Sequence, residues 1–139
     1  MKKLIVATLL SLSLCGSVMA STNGDALSKE EGQVQTLMTA FSSSSGYDTV
    51  KPVLAKSLGN VMTAQNFAKM QQQVKQNFGN QKEMKLAALE KFDQGDRLTY
   101  IMSYSNNTIV RLVVIFGPNG RDGIRSFTFA PMQVKQEKK

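Results

Sequence analysis

The residues of this chain that could do chemistry are few. There is no histidine, and the single cysteine, Cys15, lies in an N-terminal apolar segment. That composition excludes Ser-His-Asp and Cys-His nucleophilic sites and any imidazole metal site. The commonest general base is absent too. Gly117-Pro118-Asn119-Gly120 lacks the Lys-Ser/Thr that would follow in a phosphate loop, so it reads as a turn. Eight methionines are scattered without a Met-x-x-Met run, which suits core filling better than copper. No metal or cofactor is expected. Carboxylates and tyrosines remain. Asp93, Asp96 and Asp122 lie at turns and Glu90 near a strand end, where acids are ordinarily solvated. Tyr100 and Tyr104 flank Met102 at a spacing of two, so all three share one face of a strand. Such tyrosines either pack as amphipathic core residues or line a cavity, ring packed and hydroxyl orienting a ligand.

Four runs between residues 82 and 130 would position them. Asp93-Gln94-Gly95-Asp96, Ser105-Asn106-Asn107-Thr108 and Gly117-Pro118-Asn119-Gly120 are turn clusters. Between them, Leu98–Tyr104 alternates with period two, and Ile109–Phe116 is apolar except at Arg111, as in a central strand. Ile124–Phe129 places Phe127 and Phe129 on one face. Met84–Phe92 is the least regular run, with Met84, Leu86 and Ala88 alternating and a helix-compatible Ala87–Glu90. A four-residue loop at Gly117–Gly120 would pair Phe116 with Arg121 and put Val110, Leu112 and Val114 on the face of Phe127 and Phe129. A two-residue loop at Asn106-Asn107 would put Tyr100, Met102 and Tyr104 with Ile109, Arg111, Val113 and Ile115; one extra loop residue reverses that assignment.

Helices precede the strands. Ser28 with Glu31 forms a capping box, and Val34, Leu37, Met38 and Phe41 follow at helical spacing, which predicts a helix over Ser28–Ser42. After a loop at Ser42–Gly46, a shorter helix is expected over Asp48–Leu58, with Pro52 in its first turn and Gly59 closing it. Thr63 should cap a third helix burying Phe67, Met70, Val74 and Phe78 and ending at Gly79, its glutamines on the wet side. Three helices followed by four antiparallel strands make an α+β domain.

Lys2-Lys3, the apolar run Leu4–Leu14 and the small-residue site ending at Ala20 read as a secretory signal peptide cut after Ala20. The run is too short for a stable membrane span. A lipoprotein signal at Cys15 is the weaker alternative, because Leu14 before it is large. The expected organisation is a leader over 1–20, one domain over 21–131 and a basic tail over 132–139. The protein is then periplasmic or secreted, and cleavage leaves no cysteine for a disulfide. The net charge of +7 is spread over scattered lysines. It lacks the basic stripe with stacking aromatics that nucleic acid would need, so no nucleic-acid partner is expected.

The segment Thr108–Pro131 resembles the end of the exported bacterial domain of unknown function 3887 family. The likeness is most specific in Gly123-Ile124-Arg125-Ser126-Phe127-Thr128-Phe129-Ala130-Pro131 after the turn Gly117–Asp122. The helical part matches it more loosely, through Thr63 opening a helix that ends in Phe78-Gly79. Arg125-Ser126 departs from the small pair of that pattern. The resemblance implies a nuclear-transport-factor-2-like, cystatin-like cone, in which a curved four-stranded sheet wraps helices and often leaves a pocket at the open end. Members of that superfamily include isomerases, dehydratases and non-enzymatic binding or dimerising modules.

The expectation is therefore a non-enzymatic binding module of the bacterial envelope. Its ligand, a small amphipathic molecule or a peptide, would be held by Tyr100, Met102, Tyr104, Phe127 and Phe129. The alternative is a small isomerase- or dehydratase-type enzyme using Tyr100 or Tyr104 with Asp93 or Asp96. Because Ile109–Phe116 has more apolar positions than one core face can use, Ile101, Ile109, Arg111, Val113 and Ile115 form a candidate homodimer interface.

Overall fold

The apolar stripe of the first helix runs further toward the N-terminus than its capping signal. In the computed structural model, which describes residues 17–42 and 46–133 and side chains from residue 24 onward, helix α1 spans Ser17–Ser42. Ser28 is an exposed residue inside it rather than its cap. Upstream, Ala26 is buried and, like Glu30, lies against Gly120. That contact extends the helix past a local start signal, as tertiary packing commonly does. Residues 1–16 of the leader-like segment, with Cys15, residues 43–45 of the expected loop and residues 134–139 of the tail lie outside the described residues.

The helix expected over Asp48–Leu58 is two pieces. Helix α2 spans Gly46–Val50 and runs into a 3-10 turn at Lys51–Val53 that holds Pro52; helix α3 spans Lys56–Val61, with Gly59 inside it. Between them Leu54 is extended, and the Ala55 N–H donates to the Ile124 carbonyl at 2.8 Å. A backbone bond to the sheet thus outcompetes continuation of the helix. Gly123 makes the approach possible, because at φ 86° a Cβ there would strike the Val53 carbonyl. Helix α4, Ala64–Phe78, matches its signals. Thr63 Oγ1 accepts from the Asn66 N–H at 3.1 Å, Phe67 and Phe78 are buried, and Gly79 closes the helix at φ 86°.

The strands β1 (Gln81–Phe92), β2 (Gly95–Tyr104), β3 (Ile109–Phe116) and β4 (Ile124–Met132) form one open antiparallel sheet in chain order. The molecule is therefore α+β, with four α-helices preceding the sheet among the described residues.

Loop lengths decide which face each strand presents. The β2–β3 loop holds three residues, Ser105–Asn107, with Asn107 at φ 58°. The Tyr104 N–H donates to the Thr108 carbonyl across it. This is the three-residue hairpin geometry. Tyr100 consequently pairs with Leu112 and Met102 with Val110. The tyrosine face is the core face, and the two-residue alternative falls. The expected pairing of Phe116 with Arg121 is also corrected. Phe116 pairs with Ile124, because the connection continues through a 3-10 turn at Pro118–Gly120 and then Asp122 and Gly123, both at positive φ. That shift of three would by itself reverse the parity, but a bulge leaves Arg125 unpaired between Ile124 and Ser126 and restores it, so Phe127 and Phe129 still share the face of Val114 and Leu112. In β1 a register shift between Leu86 and Ala88 leaves Ala87 unpaired: Leu86 opposes Tyr100, Ala88 opposes Thr99, and Leu89 rather than Ala88 returns to the core side.

The core lies between this face and the helices. Val34, Leu37 and Met38 of α1 and Phe67 and Phe78 of α4 pack with Leu98, Met102, Val110, Leu112, Val114 and Phe116. Phe41 joins the two layers, its ring 4.9 Å from Phe67 and 5.0 Å from Phe129.

Candidate functional site

A half-open cavity of about 410 Å³ lies where the C-terminal part of α1, helix α4 and the start of β1 meet the end of β2. Met38 and Phe41 of α1 and Val74 of α4 supply its apolar wall; Gln71, Asn80, Gln81 and Tyr104 supply polar groups. The volume is within the usual range for small-molecule sites, roughly 300–1,000 Å³.

Local chemistry builds this mouth. Gly79 ends α4, and a Cβ there would coincide with the Ser105 hydroxyl, so glycine lets the β2–β3 hairpin tip dock on the helix end. Asn80 and Ser105 then bond reciprocally at 2.8 Å: the Asn80 N–H donates to Ser105 Oγ, and the Ser105 N–H to the Asn80 carbonyl. On the other side Gln71 Nε2 donates to the Ala40 carbonyl at 2.6 Å, tying α4 to the last turn of α1. Tyr104 is held by its strand and by the Phe78 ring, at 5.4 Å between centroids. It is 3 % exposed, and its hydroxyl has no hydrogen-bond partner. Burial pushes its pKa up to about 12, so it is a neutral donor at any physiological pH.

The expected pocket residues do not all meet here. Tyr104 lines the cavity. Tyr100 and Met102 are buried in the core below it, and the Tyr100 phenol is shifted upward by burial first and then by the charges of Glu31 and Glu30. Phe127 and Phe129 are half-buried and pack edge-on against Phe41. The cavity is thus displaced from the sheet centre to its end. Gln71, Asn80 and Gln81 are lining residues that the alternation of the strands could not reveal, because they come from a helix flank, a connection and the first residue of β1.

The acids also rearrange. Asp93 is exposed, but Asp96 is inside β2 rather than in a solvated turn, and only 2 % exposed. The loop before it is just Asp93-Gln94, with Phe92 opposite Gly95. Asp96 Oδ2 accepts from Lys91 Nζ at 3.0 Å and from the Asn119 N–H at 3.1 Å. Against it lies Glu30 of α1, fully buried, whose two oxygens receive no donor. Its pKa is pushed up to about 8, by burial first, then by its hydrogen bond to the Asp96 carboxyl and by that carboxyl's charge, with Lys91 opposing. A protonated Glu30 donating to Asp96 satisfies both carboxyls. Sequence reasoning missed Glu30, yet a signal exists: Ala26, Glu30 and Val34 are successive i, i+4 neighbours on the buried stripe of α1. Glu30 lines neither the cavity at Tyr104 nor the shallower concavity at Ala55, Lys56, Ser57, Asp122 and Arg125.

The outer face of the sheet carries Ile101, Ile109, Val113 and Ile115, each half-buried, around an exposed Arg111. Ile101 opposes Arg111, and Ile115 opposes Arg97. Arg97 forms a two-point ion pair with Glu90, at 2.6 and 2.9 Å, and stacks over Phe92.

Among the described residues no group of three or more acidic, cysteine or histidine side chains could hold a metal ion, and no helix is long and apolar enough to cross a membrane. In comparisons with known proteins, no family model, curated protein or solved structure matches the chain.

Proposed function

We propose that this chain is an exported, non-enzymatic binding module of a bacterial envelope that holds a small amphipathic ligand in the cavity at the end of its sheet. The observation that carries the reading is the Tyr104 hydroxyl, a buried donor without a partner beside a half-open space of about 410 Å³. An unsatisfied buried polar group costs about 1–3 kcal/mol, and a ligand acceptor would recover it. Export rests on the leader pattern of residues 1–20. The cone-type architecture and the likeness to the domain of unknown function 3887 family belong to the same reading. They are supported by helices that precede the sheet, lie against one face of it and leave an opening at one end. Titration with octanol, followed by amide shifts in a nuclear magnetic resonance spectrum, tests it. Shifts should centre on Gly79, Asn80, Tyr104 and Gln71 and vanish in Val74→Trp, which fills the cavity. Shifts spread over the surface, or unchanged by that substitution, refute the reading.

The outer face adds a second part to this proposal, a homodimer in which Ile101, Ile109, Val113 and Ile115 pack on their two-fold counterparts. The stem of Arg111 would pack at the seam while its head reaches the rim.

An isomerase- or dehydratase-type enzyme is the second reading, favoured by the raised pKa of Glu30 near Tyr100. The acid involved is then Glu30 rather than Asp93. A general acid or base must reach its substrate, and the carboxyl pair of Glu30 and Asp96 opens onto neither concavity, so binding remains the better reading.

A further inference from the structure

The chemistry of the cavity lining points to the charge of what fills it. Among the lining residues Lys75 is the only charged side chain, and no carboxylate accompanies it. Among the described residues Lys75 has no ion-pair partner, whereas Lys85, Lys91, Arg97 and Arg125 each have a carboxylate. Of the lining side chains, the one with a buried polar atom that lacks a partner is Tyr104, whose hydroxyl is held neutral and is therefore available to donate. The ammonium and the buried phenol stand beside an apolar wall of Met38, Phe41 and Val74. A buried neutral phenol and an ammonium together favour an acceptor with negative charge, since hydrogen bonds to ionised groups are roughly twice as strong as neutral ones.

Resting on the binding reading above, we infer that the ligand is an amphipathic anion of the carboxylate class. Its head group accepts from the Tyr104 hydroxyl and faces the Lys75 ammonium, and its aliphatic tail lies along Met38, Phe41 and Val74. Lys75 is exposed, so its share is screened by salt, while the Tyr104 contact is sheltered and is not.

Calorimetric titration of the purified protein with octanoate, octanol and octyltrimethylammonium separates the head group from the tail, which all three share. Octanoate should bind about ten-fold tighter than octanol, and the cation weakest. Lys75→Gln should remove most of the octanoate preference and leave octanol unchanged, the remainder being the stronger bond of the Tyr104 hydroxyl to a carboxylate. Tyr104→Phe should weaken both oxygen ligands about three- to ten-fold. Lys51→Gln, outside the cavity, should change nothing, which separates the site from the overall positive charge. Thermal unfolding of each variant confirms that it is folded. If the three ligands bind equally, or if Lys75→Gln leaves the octanoate preference undiminished, the inference fails while the binding reading stands. If none binds at millimolar concentration, both fail.

Discussion

Replacing Glu30 by glutamine should make this protein more stable at neutral and alkaline pH. Glu30 is fully buried on α1, its carboxyl against Asp96, with no donor reaching either oxygen. A carboxyl that ionises near 4.5 in the unfolded chain and about 8 in the fold is raised by folding. Its contribution is therefore fully present below pH 4.5 and is lost as pH rises toward 8. At ~1.4 kcal/mol per pH unit between those values the loss is at most about 5 kcal/mol. The Asp96 hydrogen bond and the opposing Lys91 are already contained in that shift; rearrangement around the ionised carboxyl lowers the ceiling to about 2–4 kcal/mol. That is a large share of the ~5–15 kcal/mol that holds a small domain together. Glutamine has nearly the same shape, never ionises, and can donate to Asp96 at every pH. Urea unfolding followed by circular dichroism from pH 4.5 to 8.5 is the assay. The parent should lose stability steadily over that range. Glu30→Gln should match it near pH 4.5, stay flat, and exceed it by about 2–4 kcal/mol at pH 8.5. A parent whose stability is level across the range, or a variant weaker at every pH, would show that Glu30 is ionised and paired in the fold.

Gly79→Ala should cost about 2 kcal/mol or more, because the residue sits at φ 86° and a Cβ would collide with the Ser105 hydroxyl; an unchanged midpoint in urea would mean the hairpin tip docks differently. Val113→Asp should turn a dimer into a monomer by light scattering, each large aliphatic group of the outer face otherwise gaining about 1.5–3 kcal/mol on burial; a parent already monomeric at high micromolar concentration removes the interface as drawn. Intact-mass analysis of the natively produced protein should give a chain starting at Ser21, and a diacylglyceryl mass on Cys15 would make it a membrane-anchored lipoprotein instead.

Periodicity along the strands revealed which residues travel together, and loop length decided where they went. The alternation of Tyr100, Met102 and Tyr104, and that of Val110, Leu112 and Val114, was legible because each strand repeats with period two. Whether the two sets share a face depends on one residue in the hairpin, and Ser105-Asn106-Asn107-Thr108 is compatible with two-residue and three-residue loops alike. Asn107 at φ 58° closes the longer one. The face of Phe127 and Phe129 agrees with a four-residue β3–β4 connection only because two departures from it cancel. The longer route through Asp122 and Gly123 pairs Phe116 with Ile124, which reverses the parity, and the bulge at Arg125 reverses it again. Helix ends were legible where a side chain caps them, as Thr63 does, and illegible where distant packing overrides the local signal, as the burial of Ala26 and Glu30 against the Pro118–Gly120 turn does at Ser28. The candidate site falls on the illegible side for one physical reason. Its polar residues, Gln71, Asn80 and Gln81, belong to three different local contexts and meet only because the hairpin tip seats on Gly79. A cavity assembled in this way leaves no repeat in the sequence. Its one trace is a tyrosine at the end of a core-facing strand, where a leucine would have filled the same space without leaving a hydroxyl to satisfy.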